Sequence, residues 1–153
     1  MMIKAGIRIR TPLAVGLGAA YIKGMRLTRA MIFVKDLPRM TAFYGETLGL
    51  RAIQETRMDT YVEFDAGAAS FALHAIPTHI AEQIKIVSPV QPRENNPVKL
   101  SFGVENIHSE RKRLETLGVT ILERPWGSWD GVDPEGNVFG ICPSPQNQQH
   151  ATS

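Results

Sequence analysis

Apolar and polar residues alternate over 27–34, the two-residue period of a strand with one buried face. From Asp36 the period changes. Leu37, Met40, Phe43, Tyr44 and Leu48 recur at helical spacing. Asp36 can accept the free N–H groups of the first turn, and Gly49 stands where a left-handed residue ends a helix. Strands are then expected at 50–55, 60–65 and 70–76, the last two joined by a hairpin-like turn at Ala66-Gly67-Ala68. The order returns further along: a strand at 98–104, a helix from an Asn106 cap through Leu117, a stop at Gly118, and strands at 119–123, 128–132 and 137–142. Pro134-Glu135-Gly136 makes the tight turn before the last of these.

The repetition is visible in the letters themselves. Val34-Lys35-Asp36-Leu37 and Leu48-Gly49-Leu50 are echoed by Val104-Glu105-Asn106-Ile107 and Leu117-Gly118-Val119, at offsets of 70 and 69 residues. Residues 65–73 match 133–141 at an offset of 68, which sets Phe71 over Phe139 and Ala72 over Gly140. A duplicated unit of this length is a structural module. Each module reads as strand, helix and three strands, at 25–77 and 97–143, with residues 78–96 as a proline- and asparagine-bearing linker. One helix covers one face of such a sheet. The other faces of the two modules are therefore expected to meet around a cleft.

Composition narrows the function classes. A chain of 153 residues with 43% hydrophobic and 21% charged residues is that of one globular domain. Four of its 17 bases fall in residues 1–24 with no acid, leaving 13 bases against 15 acids. The rest is mildly acidic, and no nucleic-acid partner is expected. The basic, partly apolar first 24 residues read either as a non-structural extension or as a short signal peptide, and residues 144–153 read as a flexible tail. No stretch reaches the roughly 20 apolar residues of a membrane span. The single cysteine, Cys142, fits a reducing compartment and a cytoplasmic protein, with export kept open by the signal-like segment.

Phe33-Val34-Lys35-Asp36-Leu37, Ala42-Phe43-Tyr44, Leu48-Gly49-Leu50 and Asp133-Pro134-Glu135-Gly136-Asn137-Val138-Phe139 together resemble the glyoxalase/bleomycin-resistance/dioxygenase superfamily, also called vicinal oxygen chelate proteins. The resemblance covers roughly 25–143. It implies an α+β fold, with two βαβββ modules forming an eight-stranded, incompletely closed barrel around a cleft, and it implies a homodimer. Metal-dependent relatives carry one ligand on each of four strands. Those positions correspond here to Arg29, Ala72, Lys99 and Gly140. None suits a hard divalent ion, and two are cations that would repel it. No metal and no other cofactor is expected.

Strand alternation gathers candidates on the presumed cleft face: Arg29, Met31, Phe33, Tyr61, Glu63, His74, Lys99 and Ser101, with Trp129 set over Tyr61 by the repeat. Arg29 and Lys99 read either as surface charges or as an anion-binding pair that Glu63 partly neutralises. His74 reads as a rim residue or, with Glu63, as a weak candidate for proton transfer. Met31, Phe33 and Trp129 would form an apolar wall, and Cys142 an inert buried thiol. The leading reading is a protein that binds a small organic ligand, anionic or oxygen-rich, in a metal-free cleft. The alternative is a lyase, isomerase or dioxygenase of the same superfamily, either cofactor-independent or metal-dependent through shifted ligands.

Overall fold

The computed structural model describes residues 24–144, so the readings of the basic leader and the polar tail fall outside the described residues. Within them the chain runs β1 (Arg29–Val34), α1 (Leu37–Ala42), β2 (Arg51–Ala52), β3 (Tyr61–Asp65), β4 (Ser70–Ala75), α2 (Thr78–Ala81), β5 (Ser101–Val104), α3 (Ile107–Thr116), β6 (Ile121–Glu123), β7 (Trp129–Val132) and β8 (Val138–Pro143). Two four-stranded mixed sheets result, ordered β1-β4-β3-β2 and β5-β8-β7-β6. They do not close into a barrel.

The two modules start their helices alike. The Asp36 carboxylate accepts from Arg39 N at 3.0 Å, and the Asn106 side chain accepts from Ser109 N at 2.9 Å. Gly49 and Gly118 end the two helical segments at φ of 77° and 80°, where a side chain would be strained. Four departures from the sequence reading are local. The first helix passes into a π-helical turn at Phe43–Thr47, and the expected strand at 50–55 shrinks to Arg51–Ala52 followed by a 3₁₀ turn at Gln54–Thr56. Part of the expected linker forms α2, and β5 begins at Ser101 rather than three residues earlier.

Each sheet has an inner face under its helix. Ala30, Ile32, Val34, Val62, Phe64, Phe71 and Leu73 join Leu37, Met40, Phe43 and Tyr44 in one cluster that also holds Phe102, Leu114, Phe139 and Ile141 of the second module. Rings cross the boundary between modules: Tyr44–Phe102 at 6.1 Å, Phe71–Phe102 at 5.9 Å and Phe43–Phe139 at 6.0 Å. The modules thus share a core through their inner faces. On the outer face of the first sheet Met31 and Phe33 stand 43% and 58% exposed.

The conspicuous Asp-Pro-Glu-Gly-Asn turn is the latch between modules. The Asp133 carboxylate accepts from Tyr44 Oη at 2.9 Å, Asn137 Nδ2 at 2.7 Å, and the backbone N–H groups of Glu135 and Asn137 at 2.9 Å each. Glu135 reaches back to the start of α1, accepting from Lys35 N at 3.0 Å and Asp36 N at 2.7 Å. It satisfies donors that a helix start otherwise leaves open. Gly136, at φ of 89°, packs so closely that a Cβ would lie 2.5 Å from Gln91 O.

Candidate functional site

Strand register sets the outer faces. In the first sheet Met31, Ala72 and Glu63 lie side by side on β1, β4 and β3, and Phe33, His74 and Tyr61 form the next row. In the second sheet Ser101, Gly140 and Asp130 are the equivalent first row. The structure therefore brings Arg29, Met31, Phe33, Tyr61, Glu63 and His74 onto one surface, and Lys99 with Ser101 onto the other.

Both surfaces carry the same device. Arg29 reaches over the small residue of β4 to Glu63, with Nε at 3.2 Å from Oε1 and Nη2 at 3.4 Å from Oε2. Lys99 reaches Asp130 past Gly140, with Nζ 3.1 and 3.2 Å from the two carboxylate oxygens. Asp130 is 1% exposed and is also held by Arg124 Nε at 2.7 Å, while Arg124 grips Glu94 through two bonds of 3.0 Å. A buried carboxylate needs such partners. The glycine leaves the side chains close together: a Cβ at Gly140 would lie 2.5 Å from Ser101 Oγ, which would have to turn away, and 3.6 Å from Asp130 Oδ1.

Glu63 is held below the ordinary carboxylate range by hydrogen bonds, first from the Ser70 hydroxyl and then from Tyr61 and Arg29, against the opposing effect of burial. The Ser70 hydroxyl is a long 3.3 Å from Thr28 O, so it can turn to Glu63 instead. Tyr61 donates to Glu63 at 2.8 Å, and burial followed by that bond raises its phenol. Glu63 is thus an ionised acceptor surrounded by donors, which makes it a poor base near neutral pH. The His74 ring nitrogen Nδ1 lies 2.9 Å from Ala75 O. A carbonyl only accepts, so Nδ1 is the donor of this bond and Nε2 is left to face other partners. His74 packs between Phe33 at 5.6 Å and Tyr61 at 6.1 Å, giving a row of three rings across three strands.

Trp129 is a correction. It pairs with Ile141, an inner-face residue, and lies under α3 with the Arg111 guanidinium 4.4 Å and the His108 ring 5.1 Å from its own. It is not part of the outer-face surface with Tyr61. The residue of β7 on that surface is Asp130, which the sequence reading did not single out. Cys142 is half-buried, with Sγ 3.6 Å from Phe102 O. Among the described residues no helix is long and apolar enough to cross a membrane.

The model of the Glyoxalase/Bleomycin resistance protein/Dioxygenase superfamily matches residues 26–141. Solved structures share the fold. A protein of unknown function from Agrobacterium tumefaciens str. C58 is 25% identical, with a TM-score of 0.57 over 82% of this chain and 98% of that one. The lactoylglutathione lyase of Agrobacterium tumefaciens is 18% identical, with a TM-score of 0.52 over 78% and 93%. The fosfomycin resistance protein FosX of Mesorhizobium loti is 17% identical, with a TM-score of 0.54 over 85% and 98%. No curated protein matches the chain.

The residues at the family's four metal-ligand positions do not fit a metal. Two are cations bound to carboxylates, and the other two, a buried alanine and a glycine, have no side-chain donor for a metal. Among the described residues no three His, Cys, Asp or Glu side chains gather elsewhere as a substitute.

Proposed function

The chain belongs to the Glyoxalase/Bleomycin resistance protein/Dioxygenase superfamily, and we propose that within it this protein binds a small organic ligand on its outer sheet faces without a metal ion. The observation that carries the reading is the paired filling of both half-sites. Arg29–Glu63 and Lys99–Asp130 span the residues that leave room for them, Ala72 and Gly140. Such a surface offers ion pairs and aromatic rings rather than a Lewis acid. The ligand of this reading has an aromatic part for the Phe33–His74–Tyr61 row and Met31, and an oxygen-rich or anionic end for Arg29 and Lys99, whose side chains remain 48% and 44% exposed. The site is completed by a second copy of the chain, and the protein is cytoplasmic.

Two measurements test the reading. Aromatic carboxylates such as benzoate are expected to raise the melting temperature, and Arg29→Ala or Lys99→Ala to weaken their binding about ten-fold, the loss of one charge-assisted contact. Failure of aromatic anions to stabilise the protein, or unchanged anion binding in both variants, would remove the two cations from the site. Purified protein is also expected to hold no stoichiometric Fe, Ni, Mn or Zn, with a melting temperature indifferent to chelator, because a metal bound only to the native state stabilises by mass action. One equivalent of metal lost together with stability would restore the metal-dependent alternative.

A further inference from the structure

A crevice of about 400 Å³ opens between the modules, lined mainly by inner-face residues and reaching Ser70 and Ser101 at its edge, while neither Arg29 nor Lys99 lines it. That volume lies within the range of about 300–1,000 Å³ typical of small-molecule sites. Three phenylalanines make its deep wall, with Phe102 meeting Phe71 and Phe139 edge-on at ring separations of 5.9 Å each. Leu50 and Leu114 contribute the sides. The space exists because the residues around its mouth are small, Ala66 and Ala69 of the β3–β4 connection among them. Protein interiors are close-packed, so an apolar recess of this size is better filled by an apolar body than by water.

Its polar features are of one kind at the mouth and another along one side. Among the described residues the charged ones lining it are Asp65 and Glu110. Each has an arginine behind it, Arg51 and Arg113 respectively, that does not line the space. Both carboxyls are held below their ordinary range, Asp65 first by the Gly67 N–H and then by Arg51, Glu110 first by its bond to Arg113. Along the side runs the outer edge of β5. Gly140 N donates to Leu100 O and Ser144 N to Val104 O, so the even-numbered residues of this strand turn their backbone groups to β8. Those of Ser101 and Gly103 turn the other way, to the crevice they line.

We infer that this crevice is a second binding site, for a small aromatic amine whose ring enters between Phe71, Phe102 and Phe139 and whose ammonium group stays at the mouth beside Asp65 and Glu110. The spare carbonyl groups of Ser101 and Gly103 accept from the same nitrogen. An anion of the same shape is disfavoured, because among the described residues the lining offers it two carboxylates and no cation. The site is independent of the outer-face reading, whose ligand is drawn to Arg29 and Lys99. Since its walls come from both modules, an occupant favours their packed arrangement over any opened one.

The test uses the full chain with 2-phenylethylamine, and with phenylacetate as the anionic counterpart, at about millimolar concentrations suited to fragment-sized affinity. Amide chemical shifts are followed by NMR. The amine is expected to shift Leu50, Ser101, Gly103 and Leu114, and phenylacetate to leave them unmoved. Asp65→Asn combined with Glu110→Gln should weaken the amine at least five-fold, and Ala69→Trp, which fills the mouth, should abolish its effect. Arg29→Ala should leave amine binding unchanged. The inference is overturned if the amine perturbs none of these amides, if its shifts cluster at Phe33 and His74, or if phenylacetate competes at the same amides. A misfolded Ala69→Trp, recognised by a collapsed spectrum, leaves the decision to the carboxylate double variant.

Discussion

Asp133→Ala is expected to lower the unfolding free energy by about 3–5 kcal/mol, read as a shift in denaturant midpoint. The carboxylate is 1% exposed and accepts four hydrogen bonds. One comes from Tyr44, whose phenol is itself 2% exposed and would be left without its partner. An orphaned buried donor costs about 1–3 kcal/mol, and the loosened turn would no longer aim Glu135 at the start of α1. Burial also raises the Asp133 carboxyl above its ordinary pKa, against hydrogen bonds that pull it down. A raised folded-state pKa means that the ionised group carries a desolvation cost. On its own titration the site therefore favours the folded state most below the unfolded value and less as pH rises through the folded one. Removing the charge does not rescue the latch, because Asp133→Asn keeps one acceptor oxygen and presents a donor to the donors of Tyr44 or Asn137. That variant is expected to recover only part of the loss, and Tyr44→Phe alone to cost about 1–2 kcal/mol. A loss below about 1 kcal/mol for Asp133→Ala would mean that the turn does not couple the modules.

How much of this was legible depends on parity. The two-residue period and the duplicated caps give the element order and the alternation of β1, β3, β4, β5 and β8, because side chains on a strand must alternate. The same rule failed for β7. Four residues separate the paired Asp65 and Ser70, but five separate Val132 and Val138. The extra residue in the Asp133–Asn137 turn slips the register by one, and a one-residue slip moves every side chain of the strand to the other face. Trp129 therefore went under α3, and Asp130 took the outer position equivalent to Glu63. Matching the offset of the caps alone could not reveal this, whereas counting residues across the two hairpin turns could have. The ion pairs were half legible. Opposite charges two strands apart were visible for Arg29 and Glu63, but Lys99 and Asp130 needed the corrected register. How the modules meet was not legible, since both faces of the first sheet carry large apolar residues: Phe71 inside, Met31 and Phe33 outside.

Those outside residues carry the other large expected effect. Met31→Glu with Phe33→Glu is expected to turn a homodimer into a monomer at micromolar concentration, weakening association by a hundred-fold or more, about 3 kcal/mol. The proposal of a dimer rests on the shape of the problem the chain leaves unsolved. The inner faces are consumed by the shared core, while the outer face of the first sheet exposes Phe33 by 58% and Met31 by 43% of their surfaces. The two outer faces are built on one pattern, a cation clamped to a carboxylate across a small residue. A two-fold axis would lay the first face of one copy on the second face of the other, and would do so twice, which is the self-complementarity that a closed dimer requires. Each ligand site would then have both an Arg29–Glu63 and a Lys99–Asp130 wall. Leu117→Glu is the control: it is 55% exposed at the end of α3, away from either outer face, and should leave the assembly intact. Light scattering that finds the wild type monomeric, or the double variant still dimeric, would leave the outer faces without a partner in a second copy.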